Sequence, residues 1–195
     1  MRLLFACDLA ARASGWVVLD MAEQPYRVVA HGAIAVKGEW GPIAWEETRQ
    51  AWDAVLLRLS RQQASAEGLW PHGIDCVVYE VPGWAGQSGD SKSGHGTSRN
   101  TRRMLDQAEA LFGAVAAGYT RRIMAVDQGN VKLAITGHRR ADKTAVSLAL
   151  ELRRQDGEWT APEGEDGKWS EHEVDALAIG LAAAALLKQE VEVLR

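Results

Sequence analysis

The chain has 195 residues, 47% of them hydrophobic and 25% charged, with a formal charge of −4. That length supports one domain with a sizeable core and is short for two, and the composition excludes a mainly disordered chain. The mild acidity excludes a protein that holds nucleic acid by bulk positive charge alone, and no apolar run approaches the length of a membrane span.

The opening MRLLFACDLA reaches Asp8 after a short apolar patch, so no secretory signal is expected. Leu3 to Cys7 reads as a buried strand ending at Asp8. Ala10 to Ser14 is a turn, and Gly15 to Leu19 a second strand, as in a hairpin. Arg27 to Val36 is a third strand with partial alternation. Ile43 to Gln63 carries Trp45, Trp52, Leu56 and Leu59 at helical spacing, which predicts an amphipathic helix. Ile74 to Tyr79 is a buried strand followed by Glu80. Pro82 to Thr97 is a loop dominated by glycine and serine. Ser98 can cap a helix from about Arg99 to Tyr119, and Arg122 to Val126 is a fifth strand. Short and longer helices are predicted at Val131–Ile135 and Ala141–Arg154, and Gln155 to Trp169 as a polar loop. Ser170 with Glu173 three residues on is a capping box for a last helix, apolar from Ala176 to Leu187. Strands followed by alternating helices give a mixed α/β domain spanning 1–195. Cys7 and Cys76 both fall in apolar, strand-like segments, so buried free thiols in a reducing compartment are expected rather than a disulfide or a zinc site.

The charge is unevenly spread. Residues 90–154 hold twelve Lys and Arg against six Asp and Glu, a surplus of six, which leaves the remainder of the chain at −10. A basic middle suits a polyanion lying across one face.

Three acids and a histidine share a distinctive setting. Asp8 and Glu80 each follow an apolar strand (LLFAC and CVVY), and a carboxylate closing a buried strand is costly unless something compensates it. If those strands are neighbours, both acids emerge at one edge and can share a cation. In SEHEVDALAIGLAAA, His172 and Asp175 stand three apart at the start of an otherwise apolar helix and project on one face. Hard oxygen donors with one imidazole suit Mg2+ or Mn2+ better than Zn2+. Two such ions can activate water and stabilise the leaving oxygen of a phosphodiester, so phosphoryl hydrolysis is the chemistry this set predicts. His172 could serve as a ligand or as a base toward the water.

These residues carry a resemblance. The chain resembles the RuvC Holliday-junction resolvases of the RNase H-like (retroviral integrase) superfamily in four ordered blocks: FACDLAARASGWVVLD, CVVYE, NVKLAITGHRRADKTAV and HEVDALAIGLA. The resemblance implies an RNase H-like fold, a five-stranded mixed sheet flanked by helices. It implies Asp8, Glu80, His172 and Asp175 as metal ligands for two Mg2+ or Mn2+ ions per active site. Lys132 and Lys143 match the family's two functional lysines, which approach the DNA backbone near the scissile phosphate. Trp84 falls near the aromatic residue of the loop after the glutamate, and Arg99, Arg102, Arg103, Arg139 and Arg140 are candidate DNA contacts. The implied activity is that of a crossover junction endodeoxyribonuclease: a cytoplasmic homodimer, from a bacterial or phage-infected cell, making paired nicks in four-way DNA junctions.

The sequence departs from the family pattern in places. Leu9 and Ala10 replace the usual proline and glycine, and His172 stands where many members have aspartate. The loop after Glu80 is long, and Gln155–Trp169 looks inserted. The nearest alternative is another nuclease of the superfamily acting on flaps, forks or RNA–DNA hybrids. A nucleotide binder of the sugar-kinase, actin and Hsp70 kind is a poorer match: the glycine and threonine expected after the first aspartate are missing, as is a second phosphate loop. A catalytically silent DNA-binding protein of this fold is disfavoured by the presence of all four candidate ligands.

Overall fold

The computed structural model describes residues 3–10, 13–35, 41–65, 73–81, 99–162 and 169–193, without the side chains of 62–65, 99–102 and 191–193. In chain order the elements are β1 (Leu3–Asp8), β2 (Ala13–Asp20), β3 (Tyr26–Ala35), α1 (Pro42–Ser65), β4 (Cys76–Val81), α2 (Arg99–Ala116), β5 (Ile123–Asp127), α3 (Gln128–Thr136), α4 (Lys143–Gln155), β6 (Trp159–Thr160) and α5 (Glu171–Val193). The sheet order is β5-β4-β1-β2-β3-β6. β2 runs antiparallel to both β1 and β3, whereas β4 and β5 run parallel to β1.

Successive strand residues face opposite sides of a sheet, and β1 separates two cores on that rule. Leu4 and Ala6 join Val17, Leu19, Cys76 and Val78 in a core completed by α3, α4 and α5. Leu3, Phe5 and Cys7 join Val18 and Val77 against Trp52, Leu56 and Leu59 of α1 and Phe112 and Ala116 of α2. Phe5 lies between Trp52, edge-on at 6.1 Å, and Phe112, stacked at 6.2 Å. α5 is buried almost all round from Ala176 to Ala184, so it forms the spine of its layer rather than a surface helix.

The six strands correct the expected five. β6 sits inside the segment expected to be a polar loop, pairing in parallel with Tyr26 and Arg27 of β3. Trp159 holds it there: the indole is buried, and its Nε1–H donates to the Leu150 carbonyl at 3.0 Å. The α2 helix ends at Ala116, not Tyr119, in a turn whose Tyr119 hydroxyl donates to Asp53 at 2.6 Å. The α3 helix is longer than expected because Asp127 caps its start, accepting from the Asn130 N–H at 3.1 Å. Gly137 ends it at φ 78°, a left-handed conformation that suits glycine. Cys7 and Cys76 are free and buried. Burial pushes both thiols up, Cys76 to about 11, so neither is a thiolate at neutral pH. Among the described residues, no helix is long and apolar enough to cross a membrane.

Candidate active site

The register of β1 on β4 aligns Cys7 with Tyr79, so the next residue on each strand is an acid, Asp8 and Glu80. By alternation both lie on the face of Leu4, Ala6 and Val78, which is the face α5 covers. The opening turns of α5 bring His172 and Asp175 to that same edge. His172 Nδ1 stands 2.8 Å from Asp8 Oδ2.

What lets the helix come so close is Gly15. It pairs with Asp8 across the β1–β2 ladder, and α5 passes directly over it. A Cβ on Gly15 would lie 2.1 Å from the carbonyl carbon and oxygen of His172 and 2.6 Å from the Glu173 nitrogen. From the sequence, Gly15 is expected only as the start of a strand. A glycine inside a strand signals a close backbone approach, and that signal was present.

The two lysines flank this edge. Lys143, the first residue of α4, is held there by the Asp142 cap, whose carboxylate accepts from the Ala145 N–H at 2.8 Å. Its Nζ donates to Asp175 Oδ2 at 3.3 Å and also contacts Glu171. Lys132 lies on α3, half-buried, with its charge acting on Glu80.

The electrostatics are those of crowded, dehydrated acids. Burial pushes Asp8 up, opposed by its hydrogen bond to His172 and reinforced by Asp175. Burial likewise lifts Glu80 to about 7, with repulsion from Asp8 and Asp175 adding to it and Lys132 opposing it. Among the described residues, no three His, Cys, Asp or Glu side chains are already gathered to hold an ion. Of the expected quartet, Asp8 meets His172, Asp175 meets Lys143, and Glu80 is reached by the charges of Asp8, Asp175 and Lys132. The donor chemistry nonetheless fits a hard divalent cation, whose charge would offset the burial and repulsion that raise Asp8 and Glu80.

Burial and that repulsion together predict an unusual pH dependence in protein stripped of divalent cations. A carboxyl with a folded pKa near 7, above its ordinary 4.5, binds its proton more tightly when folded. Stability is therefore highest below pH 4.5 from this group and falls as pH rises through 7, by on the order of 2–3 kcal/mol. Glu80→Gln should raise the melting temperature in EDTA at pH 8 by roughly 5–10 °C and give no gain near pH 4.5. Equal melting temperatures of the two proteins at pH 8 would remove this picture of Glu80.

The remaining candidates are placed less centrally. Arg103 is exposed on α2, and Arg140 is exposed between α3 and α4. Arg139 is exposed but bonded to Asp127 at 3.1 Å. Trp84 lies outside the described residues, as do the side chains of Arg99 and Arg102. Part of the basic surplus is structural: Arg153 bonds Glu158 at 2.8 Å and the Ala134 carbonyl at 2.6 Å, and Arg122 pairs with Glu190. Asp127 closes β5 as Asp8 closes β1, one residue beyond the strand expected at Arg122–Val126. Its carboxylate serves α3 and Arg139, and its charge also adds to the lift on Glu80.

Solved structures share this architecture. Thermus thermophilus RuvC in complex with Holliday junction substrate aligns with a TM-score of 0.68 at 17% identity, covering 97% of this chain and 97% of that one. A further structure of Thermus thermophilus RuvC gives 0.65 at 18%, over 96% of each chain. The yeast mitochondrial Holliday junction resolvase Ydc2 gives 0.60 at 10%, over 95% of this chain and 80% of that one. No protein-family profile and no curated protein matches the sequence. At these identities the likeness is one of fold: the chain has the RuvC-type, RNase H-like fold over nearly its whole length.

Proposed function

We propose that the chain is a metal-dependent endonuclease that nicks four-way DNA junctions. One observation supports this reading: in a chain with the RuvC fold, β1 and β4 end side by side in Asp8 and Glu80, His172 bonds Asp8 from the start of α5, and Asp175 and Lys132 act electrostatically on Glu80 while Lys143 bonds Asp175. The compared Thermus protein is complexed with a Holliday junction, and the present reading extends that substrate to this chain.

Asp8, Glu80 and Asp175, with His172, would hold Mg2+ or Mn2+, which supplies charge for activating water and for stabilising the leaving oxygen of a phosphodiester. Lys132 and Lys143 would add positive charge toward a phosphate bound at this edge. In the neutral ring with its proton on Nδ1, His172 donates to the Asp8 carboxylate and keeps the Nε2 lone pair free to accept a proton or bind an ion. Lys143 is exposed and bonded to Asp175, so it is placed to exchange an acid for a phosphate as DNA arrives. Arg103 and Arg140 are exposed candidates for backbone contacts farther out. Paired nicks need two such sites, and a homodimer on a junction supplies them.

A nicking assay tests this on labelled four-way junction, fork, flap, plain duplex and RNA–DNA hybrid, with Mg2+, Mn2+ or EDTA. Paired cuts in the junction with either ion, and none in EDTA, are expected. Preference for the fork, flap or hybrid would move the chain to another nuclease class of this fold, and ATP binding without cutting would favour a nucleotide binder.

A further inference from the structure

Glu173 belongs to no predicted ligand set, yet both of its carboxylate oxygens are engaged. Oε2 accepts from the Ser170 N–H at 2.7 Å while Ser170 Oγ accepts from the Glu173 N–H at 3.3 Å, the reciprocal capping box anticipated from sequence. Oε1 faces His31 Nδ1 at 2.6 Å. That bond is not part of any cap: it reaches across to β3, 142 residues earlier in the chain. Both side chains are nearly enclosed, at 12% and 11% exposure. The His31 ring is also stacked on Trp169, centroids 4.4 Å apart and 27° from coplanar, and Trp169 leans on Trp159 at 5.8 Å.

The placement of this contact matters. His31 pairs with Val17, and Ala33 pairs with Gly15, so His31 lies on the α5 face one step from the crossing over Gly15. Glu173 sits between His172 and Asp175 on the helix. With about 100° of turn per residue, fixing Glu173 toward β3 fixes the direction of His172 toward β1. The rest of α5 packs through apolar side chains, many of them alanine, whose contacts are non-directional. A roll of about 20° would move a side-chain tip about 6 Å off the axis by roughly 2 Å. Metal sites tolerate errors of only about 0.2 Å in ligand distance.

We infer that His31 is a positioning residue: through Glu173 it sets the roll of α5 and so places His172 and Asp175 against Asp8. The inference rests on the nuclease reading above. It assigns His31 no contact with DNA or metal.

Two variants separate this from a general loss of stability. His31→Phe keeps a flat ring for Trp169 and removes the bond to Glu173. His31→Asn returns a donor near the Nδ1 position. Three readouts are taken well below the melting temperature: Mn2+ affinity by calorimetry, junction nicking against Mn2+ concentration, and hydrogen exchange of the amides in the first turn of α5. His31→Phe should weaken Mn2+ binding about tenfold or more and shift half-maximal nicking by the same factor. Nicking at saturating Mn2+ should stay within about threefold of wild type, first-turn exchange should quicken, and His31→Asn should recover most of each change. A lowered melting temperature with an unchanged Mn2+ isotherm would overturn the inference, since a purely structural role predicts that result. If the wild-type protein neither binds Mn2+ nor nicks, the nuclease reading falls with it, and unaltered exchange in His31→Phe would dispose of the clamp as well.

Discussion

Replacing Asp8 with asparagine should reduce junction nicking by about a thousandfold or more while leaving junction affinity within about threefold. Asparagine has nearly the same shape, and its amide can still meet His172 across the 2.8 Å contact. The change removes one negative charge from a buried strand end where burial and Asp175 already raise Asp8. Folding should therefore be unharmed, and in EDTA at neutral pH the variant should melt no lower than wild type. Candidate phosphate contacts such as Arg103 on α2 and Arg140 between α3 and α4 are exposed and away from β1, so binding keeps its charge. Gel-shift titration in EDTA and single-turnover nicking in Mn2+ read the two effects separately. Undiminished cutting by the variant would contradict the assignment of Asp8.

Gly15→Ala should be the most damaging small substitution in this part of the fold. Its added carbon would meet backbone atoms of His172 at 2.1 Å, and backbone cannot step aside as a flexible side-chain tip can. Either β2 bends or the first turn of α5 lifts off, and the second would also part His172 from Asp8. Overpacking commonly costs 1–3 kcal/mol, and this case should exceed that, at roughly 3–5 kcal/mol and a fall of about 10 °C or more in melting temperature. Gly113→Ala is the internal control. Gly113 lies within α2, where among the described residues an added Cβ meets nothing within 4 Å. Alanine should there stabilise by about 0.5–1 kcal/mol through its better helix propensity. Thermal melts of both proteins decide the matter, and similar melting temperatures would mean that α5 does not cross β2 at Gly15.

The comparison of sequence with structure divides along a physical line. Features written in local pattern were legible: apolar strands closed by acids at Asp8 and Glu80, the Ser170–Glu173 capping box, and the apolar run of α5. The shared edge of Asp8 and Glu80 needed one further step, the adjacency of β1 and β4, which chain order alone does not dictate. Features that exist only through distant contacts were not legible. β6 is two residues long and is held by its pairing with β3 and by one buried tryptophan bonded to Leu150, too little for any periodicity to register. His31 gave no local sign of its partner, because alternation in β3 tells which residues share a face but not which helix turn will cover them. The pairing of Arg153 and Arg122 with acids on other segments was equally hidden, so net charge overstated the basic surface open to DNA.

The most direct measurement is a crystal of the protein soaked in Mn2+ and examined by anomalous diffraction. The account predicts strong peaks at the edge where β1 and β4 end, within coordination distance of the Asp8 and Glu80 carboxylates and of Asp175 or His172, and their disappearance in Asp8→Asn. Manganese bound elsewhere, or absent from that edge at millimolar concentration with all four side chains ordered, would contradict it.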